Sequence, residues 1–150
     1  MMRSTIILRF LSILGIGALL MFMTGVSYAS DFVVITHPQN GIEKMSKDEI
    51  INIYMGRNSR MPNGLSAIPI DVTYSTADKA RFYMFMMEKE LAEINSYWAR
   101  LRFSGQGNPP KQLESVEDVL EFVSRNKGAL AYLDKKRVDK RVRVVFDSSH

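Results

Sequence analysis

A short unbroken apolar run constrains the fold more than any other feature of this sequence. Phe32, Val33, Val34 and Ile35 follow one another between Asp31 and Thr36 with no polar residue among them. A strand with one solvated face alternates apolar and polar residues, whereas a strand buried on both faces reads as a continuous apolar run. We therefore predict a strand over residues 31–36 in an α/β sheet.

The following residues predict helices that alternate with further strands. Ser46 and Glu49 form a capping box, because each side chain can pair with the other residue's backbone N–H, and Gly56 ends this helix. A second strand is expected over residues 67–72, and Pro69 indicates an edge or irregular strand. Helices are then predicted from Ser75 or Thr76 onward, over 93–103 and from Ser115, followed by strands over 129–133 and 141–146.

The first 29 residues have the pattern of a secretory signal peptide. Two arginines, Arg3 and Arg9, precede an apolar run from Phe10 to Val26. Small residues then allow cleavage between Ala29 and Ser30. The alternative is an uncleaved anchor, since about 17 apolar residues reach the short limit for a membrane span. We expect one mature domain over residues 30–150, located outside the cytoplasm.

Charge and cysteine content exclude several classes of function. The chain has 20 Lys and Arg against 16 Asp and Glu, and two of its basic residues lie in the predicted signal peptide. So small an excess of positive charge gives no reason to expect a nucleic-acid partner. The chain has no cysteine, which excludes thiol catalysis and thiolate metal sites. We find no nucleophile with an accompanying base and therefore expect no enzyme, no catalytic residue and no cofactor.

Two segments are candidate ligand sites. In the loop Ser104, Gly105, Gln106 and Gly107, glycines let backbone N–H groups approach a ligand and polar side chains add hydrogen bonds. The alternative is a turn shaped for packing. The helix start at Ser75 and Thr76 is a potential anion site, because its first N–H groups are unpaired and the helix dipole is positive there. The alternative is a helix start that binds only its own cap and water.

Three other groups of residues have simpler interpretations. His37 and His150 lack the spacing of a metal site, so we expect no bound metal. Basic residues between 135 and 143 are interleaved with aspartates and predict a solvated connection, with a docking surface for an acidic partner or lipid headgroups as the alternative. Met84, Met86 and Met87 are expected in the core, with an adaptable binding groove as the alternative.

Several blocks together resemble the phosphate-binding component of phosphate ABC transporters and its short relatives. Their order along the chain is more specific than any single block. The blocks are 45–56 (MSKDEIINIYMG), 62–64 (PNG), 68–71 (IPID), Arg81–Phe82, Tyr97–Trp98, 103–107 (FSGQG), Pro109–Pro110 and 127–133 (KGALAYL).

The resemblance implies a single lobe of a periplasmic-binding-protein-like fold, with a central mixed sheet flanked by helices, and together with the predicted signal peptide it implies a location in the periplasm. In the family, an arginine at a strand end and a Ser-Gly-Thr segment at the next helix start hold phosphate. Here Asp71 or Val72 stands about where that arginine would be, and Ser75 and Thr76 remain without the glycine. Two functions stay open: a non-enzymatic solute-binding protein for phosphate or another small anion, and an interaction module that has lost its ligand. The implied partners are a membrane-bound transporter or sensor, or a second copy of the chain.

Overall fold

The computed structural model describes residues 31–150, so the predicted signal peptide over residues 1–29 lies outside the described part. Within residues 31–150, no helix is long and apolar enough to cross a membrane. The elements in chain order are β1 (Phe32–Thr36), α1 (Lys47–Tyr54), β2 (Ile68–Val72), α2 (Thr76–Met87), α3 (Leu91–Phe103), β3 (Lys111–Leu113), α4 (Val116–Arg125), β4 (Ala129–Asp134), a 3-10 helix (Lys135–Arg137) and β5 (Arg143–Asp147).

The five strands form one mixed sheet in the order β3-β2-β4-β1-β5. β2 runs parallel to β3 and β4, whereas β1 runs antiparallel to β4 and β5. All five residues of β1 are buried, and successive side chains of a strand point to opposite faces. Both faces of the sheet are therefore covered, which confirms the predicted α/β fold with a central mixed sheet flanked by helices.

The strand β3 was not predicted, and the position of β2 in the sheet differs from expectation. β3 has only three residues, KQL, and two of them are exposed, so it gives no apolar signal. β2 lies between β3 and β4, so of the two expectations drawn from Pro69 the edge strand does not describe β2 as a whole, whereas the irregular strand does. Its pairing is split, as Ile68 and Pro69 pair with β4 while residues 70–72 pair with β3. The missing N–H of Pro69 therefore interrupts no ladder with β3.

The predicted capping box forms at the start of α1. Ser46 Oγ accepts a hydrogen bond from the Glu49 N–H at 3.2 Å, and a Glu49 carboxylate oxygen accepts one from the Ser46 N–H at 2.8 Å. Gly56 follows the helix at φ +67°, where a side chain would be strained, and ends it as predicted. The local signals in this segment were therefore sufficient to define the helix.

Aromatic side chains between the sheet and α2 form the centre of the core. Phe82 stacks on Tyr132 with ring centroids 3.9 Å apart, and Tyr54 packs against Phe82 at 4.7 Å. Met86 of α2 is buried, as predicted. Met84 is 45% exposed, so the predicted core position of Met84 is wrong. Residues two apart on a helix lie about 200° apart around its axis, so both cannot face the sheet.

Candidate functional site

The start of α2 lies at the carboxyl end of β2, the edge at which open α/β sheets bind ligands. Ser75 Oγ accepts a hydrogen bond from the Asp78 N–H at 3.1 Å, so Ser75 is the N-cap, and its hydroxyl proton stays available as a donor. Thr76 and Ala77 are exposed. Their N–H groups are the first two of the helix and have no acceptor within it. This edge therefore offers two backbone donors and the Ser75 hydroxyl to an anion.

A buried carboxylate lies beneath this helix start. Asp71 is 3% exposed. One of its oxygens accepts a hydrogen bond from Tyr132 Oη at 2.9 Å, and the other accepts from Tyr83 Oη at 3.0 Å. The second oxygen also lies 3.0 Å from Lys79 Nζ. A buried charge requires such partners, and here two hydroxyls and one ammonium satisfy it.

The two tyrosines that surround Asp71 are held in their neutral form. Burial raises the pKa of Tyr83 and of Tyr132 well above the ordinary tyrosine value, and the negative charge of Asp71 raises both further. Tyr132 Oη also accepts the Val72 N–H at 3.4 Å while it donates to Asp71. The carboxyl end of β2 is thus a network centred on Asp71, which stands about where the resemblance implied an arginine, and its cation, Lys79, is paired with that carboxylate.

A cation reaches the edge from another element. The guanidinium of Arg137, in the 3-10 helix after β4, lies 5.9 Å from the centre of the Tyr74 ring. The Tyr74 hydroxyl is buried and has no hydrogen-bond partner among residues 31–150. Burial, followed by the charge of Asp78, raises the pKa of Tyr74. Arg137 was assigned from sequence to a solvated connection, and no local signal placed it beside α2.

The loop Ser104 to Gly107 has structural roles in ending α3. The Gly105 N–H donates to the Arg102 carbonyl and the Gln106 N–H to the Leu101 carbonyl, with Gly105 at φ +70°. These two bonds define a Schellman motif, which requires a left-handed residue and favours glycine. Gly107 packs on the ring of Trp98, since an added Cβ would lie 3.6 Å from Cζ3. Helix termination and packing therefore account for both glycines, and ligand contact by this loop stays a prediction.

The two predicted ligand segments lie at opposite ends of the parallel strands. Ser75 and Thr76 follow β2, whereas residues 104–107 precede β3. β2 and β3 are parallel and pair Ile70 with Lys111. The segment after one strand and the segment before the other consequently lie at opposite edges of the sheet. The structure does not join them into one ligand surface.

The remaining candidates have structural or solvated roles. His37 Nδ1 accepts the Gln39 N–H at 3.0 Å, and residues 31–150 contain no group of three or more potential metal-ligating side chains. In the basic segment, Arg141 pairs with Glu117 and Asp139, and Lys135 pairs with Asp147 at 2.6 Å. These ion pairs agree with a solvated connection.

An open cavity of about 410 Å³ lies between α1 and the end of α2, and Met86 and Met87, for which a binding groove was the alternative expectation, are among its lining residues. Apolar side chains and charged side chains of both signs line it, which gives it no preference for a charged ligand. The lining residues are Lys47, Asp48, Ile51, Met55, Arg57, Met86, Met87, Glu88 and Lys89.

Comparison with solved structures relates this architecture to phosphate-transport receptors. Similar structures include an ABC-type phosphate transport receptor from Vibrio cholerae, with TM-score 0.60 and 15% identity over 76% of this chain and 44% of the other. A protein described as a phosphate ABC transporter substrate-binding protein, with bound phosphate, from Clostridium perfringens has a TM-score of 0.60 and 18% identity. The match covers 76% of this chain and 43% of the other. PstS from Borrelia burgdorferi has a TM-score of 0.53 and 13% identity, over 77% of this chain and 46% of the other.

These similarities establish the fold as that of a periplasmic-binding-protein-like domain. No family model and no curated protein matches the sequence. The chain spans less than half the length of the receptors whose structures it resembles. It therefore corresponds to one part of a longer fold.

Proposed function

We propose that this chain is a non-enzymatic, exported solute-binding-type module whose ligand-facing surface is the carboxyl edge at the start of α2. The observation that carries this proposal is the pair of exposed first-turn residues, Thr76 and Ala77, at the edge where α/β sheets bind ligands. Structural similarity to phosphate receptors supports phosphate or another small anion as the ligand. Residues 1–29 would direct export and be removed after Ala29.

The surroundings of this helix start argue against tight binding by the chain alone. A phosphate needs several charge-assisted donors in an enclosed site. Here the first-turn donors are exposed, and Asp71 and Asp78 place negative charge nearby, each paired with a cation, Lys79 or Arg81. Arg137 supplies one cation. We propose that a second face, from a transporter, a sensor or a second copy, completes the site.

A second candidate function is a protein-interaction module that keeps the lobe and binds no solute. The closed network around Asp71 favours this alternative, because it replaces a cation at the end of β2 with a carboxylate fully engaged in the core. Both candidates are non-enzymatic, and they differ in whether the carboxyl edge binds an ion or a protein.

Calorimetric titration of residues 30–150 with inorganic phosphate, with sulfate as the control, separates the two candidates. Saturable micromolar binding, about 8 kcal/mol, supports the solute receptor. Ser75→Ala should then weaken phosphate binding, whereas Ser46→Ala, which removes the matching cap from α1, should not. Absence of heat up to millimolar phosphate, with recovery of a protein partner that depends on Arg137, would favour the interaction module.

A further inference from the structure

Two stretches that lack acidic residues meet at the edge of the sheet opposite the start of α2. Residues 50–70 and 94–113 contain no Asp or Glu, and together they carry Arg57, Arg60, Arg100, Arg102 and Lys111. All five cations are exposed. Like-charged residues are usually interspersed with the opposite sign on a soluble surface, so the absence of acids from both stretches gives this region an excess of positive charge, although Asp48 and Glu88 line the cavity that Arg57 borders.

Contacts around Trp98 hold the two stretches together. Tyr97 Oη donates a hydrogen bond to the Met55 carbonyl at 2.7 Å. Gly56 and Gly107 both approach the Trp98 ring, and a Cβ added at Gly56 would lie 2.9 Å from Cη2. The end of α1 and the end of α3 therefore form one rigid surface, and Arg57 belongs to the same surface as the last turn of α3.

An exposed aromatic ring lies on this surface. Phe103, the last residue of α3, is 97% exposed. It follows the buried Ile94 by nine residues, about two and a half helical turns, so it faces directly away from the core. One and two turns earlier on the same face lie Ala99 and Ser96, which carry no charge. The solvent face of α3 thus ends in a bare aromatic ring.

Two arginines flank this ring. Arg100 lies about 60° and Arg102 about 100° from Phe103 around the helix axis, on either side of it. Within residues 31–150, Arg57, Arg100 and Arg102 take part in no salt bridge. Unpaired guanidinium groups around an exposed ring match a partner with dense negative charge above an apolar layer.

We propose that this cationic tip, formed by Arg57, Arg100, Arg102 and Phe103, docks onto an anionic phospholipid surface. Phe103 enters the boundary between headgroups and acyl chains, and the guanidinium groups bind lipid phosphates. A second copy of the chain is a poor occupant, because a two-fold contact would bring two identical cationic surfaces together. This proposal is independent of anion binding at α2, which lies at the other edge of the sheet.

The test is cosedimentation of residues 30–150, which contain the whole sheet and its helices, with vesicles of phosphatidylglycerol and phosphatidylethanolamine. Vesicles of phosphatidylcholine alone are the neutral control. We expect binding to the anionic vesicles at about 0.1 M salt and its loss at about 1 M, where the screening length falls from about 10 to about 3 Å. Each surface cation contributes about fivefold in affinity, so Arg100→Gln with Arg102→Gln should weaken binding about 30-fold.

Matched variants distinguish this tip from general electrostatic attraction. Phe103→Ser should weaken vesicle binding about tenfold. Met84→Ser, at another exposed apolar residue, should change it less than about twofold. Lys136→Gln with Lys140→Gln removes the same charge from the segment after β4 and should change binding less than about threefold, since only long-range attraction is reduced.

A second readout reports which surface faces the lipid. Trp98 is the only tryptophan of the chain and packs beneath the tip, so energy transfer from Trp98 to a dansyl-labelled lipid should accompany binding. The proposal is overturned by failure to bind anionic vesicles, by equal losses in the control variants, or by binding without transfer from Trp98. Binding to polyglutamate but not to vesicles would assign the tip to an acidic protein and would equally overturn it.

Discussion

Removal of the Asp71 carboxylate should strongly destabilise the fold. In Asp71→Ala the hydroxyls of Tyr83 and Tyr132 lose their acceptor, and the ammonium of Lys79 loses its partner. Loss of one member of a buried ion pair costs about 3–5 kcal/mol, because the other charge stays buried without compensation. The effect therefore reflects the groups left unpaired as well as the contacts removed.

Two features of the structure put the expected loss of folding free energy for Asp71→Ala in the lower half of that range. The Lys79 side chain is 15% exposed, so its ammonium can reach water after the substitution. Tyr132 Oη keeps the Val72 N–H as a partner at 3.4 Å. We therefore expect a loss of about 3–4 kcal/mol. If the free energy of unfolding falls by about 1.5–2 kcal/mol per molar urea, the urea concentration at the unfolding midpoint should decrease by about 2 M.

Urea unfolding followed by circular dichroism and by Trp98 fluorescence measures this loss. Glu43→Ala, at an exposed carboxylate in a loop, is the control and should stay within about 0.5 kcal/mol of the parent. A double-mutant cycle between Asp71→Ala and Tyr83→Phe should give a coupling of about 1.5–3 kcal/mol. A loss below about 1 kcal/mol, or no coupling, would refute the closed network and imply that water replaces the carboxylate.

Two further predictions concern the backbone and alkaline pH. Gly128→Ala should cost more than about 3 kcal/mol, because its Cβ would lie 2.1 Å from a backbone carbonyl oxygen. Gly64→Ala has open space and only the strain of φ +85°, so it should cost about 1 kcal/mol; equal urea midpoints would contradict this reasoning. Burial raises the pKa of the three core tyrosines, Tyr54, Tyr83 and Tyr132. The stability that they contribute is present below the unfolded pKa near 10 and is lost as pH rises above it, by about 4 kcal/mol per pH unit if all three remain protonated. Their tyrosinate absorbance should therefore appear together with unfolding. Residues 30–150 also contain Tyr74 and Tyr97, so absorbance from more than two tyrosinates near pH 10 in the folded protein would contradict the burial of Tyr54, Tyr83 and Tyr132.

Elements with strong local signals could be predicted from sequence. The capping box of Ser46 and Glu49 and the cap at Ser115 define helix starts through contacts between residues three apart. The continuous apolar run of β1 similarly predicts a strand that is buried on both faces, as the structure shows. Each of these signals is complete within one segment, so no knowledge of the tertiary arrangement was needed.

Features that depend on contacts between distant segments could not be predicted in this way. β3 exists because residues 70–72 offer a strand edge to pair with, and its own residues are mostly polar. Asp71 gave no indication of burial, because its partners come from α2 and from β4, 61 residues away. Arg137 likewise reaches Tyr74 at the carboxyl edge only through the path of β4.

The positions of the two proposed surfaces restrict how the protein can act. The cationic tip lies before β3 and the start of α2 lies after β2, so the parallel strands separate them. If the tip lies on a membrane, the carboxyl edge with Thr76 and Arg137 faces away from the bilayer. A partner that completes the anion site must then project from the membrane, because the embedded part of a transporter could not reach this edge. An interface mapped to the carboxyl edge on a membrane-embedded segment would therefore exclude simultaneous docking through Phe103.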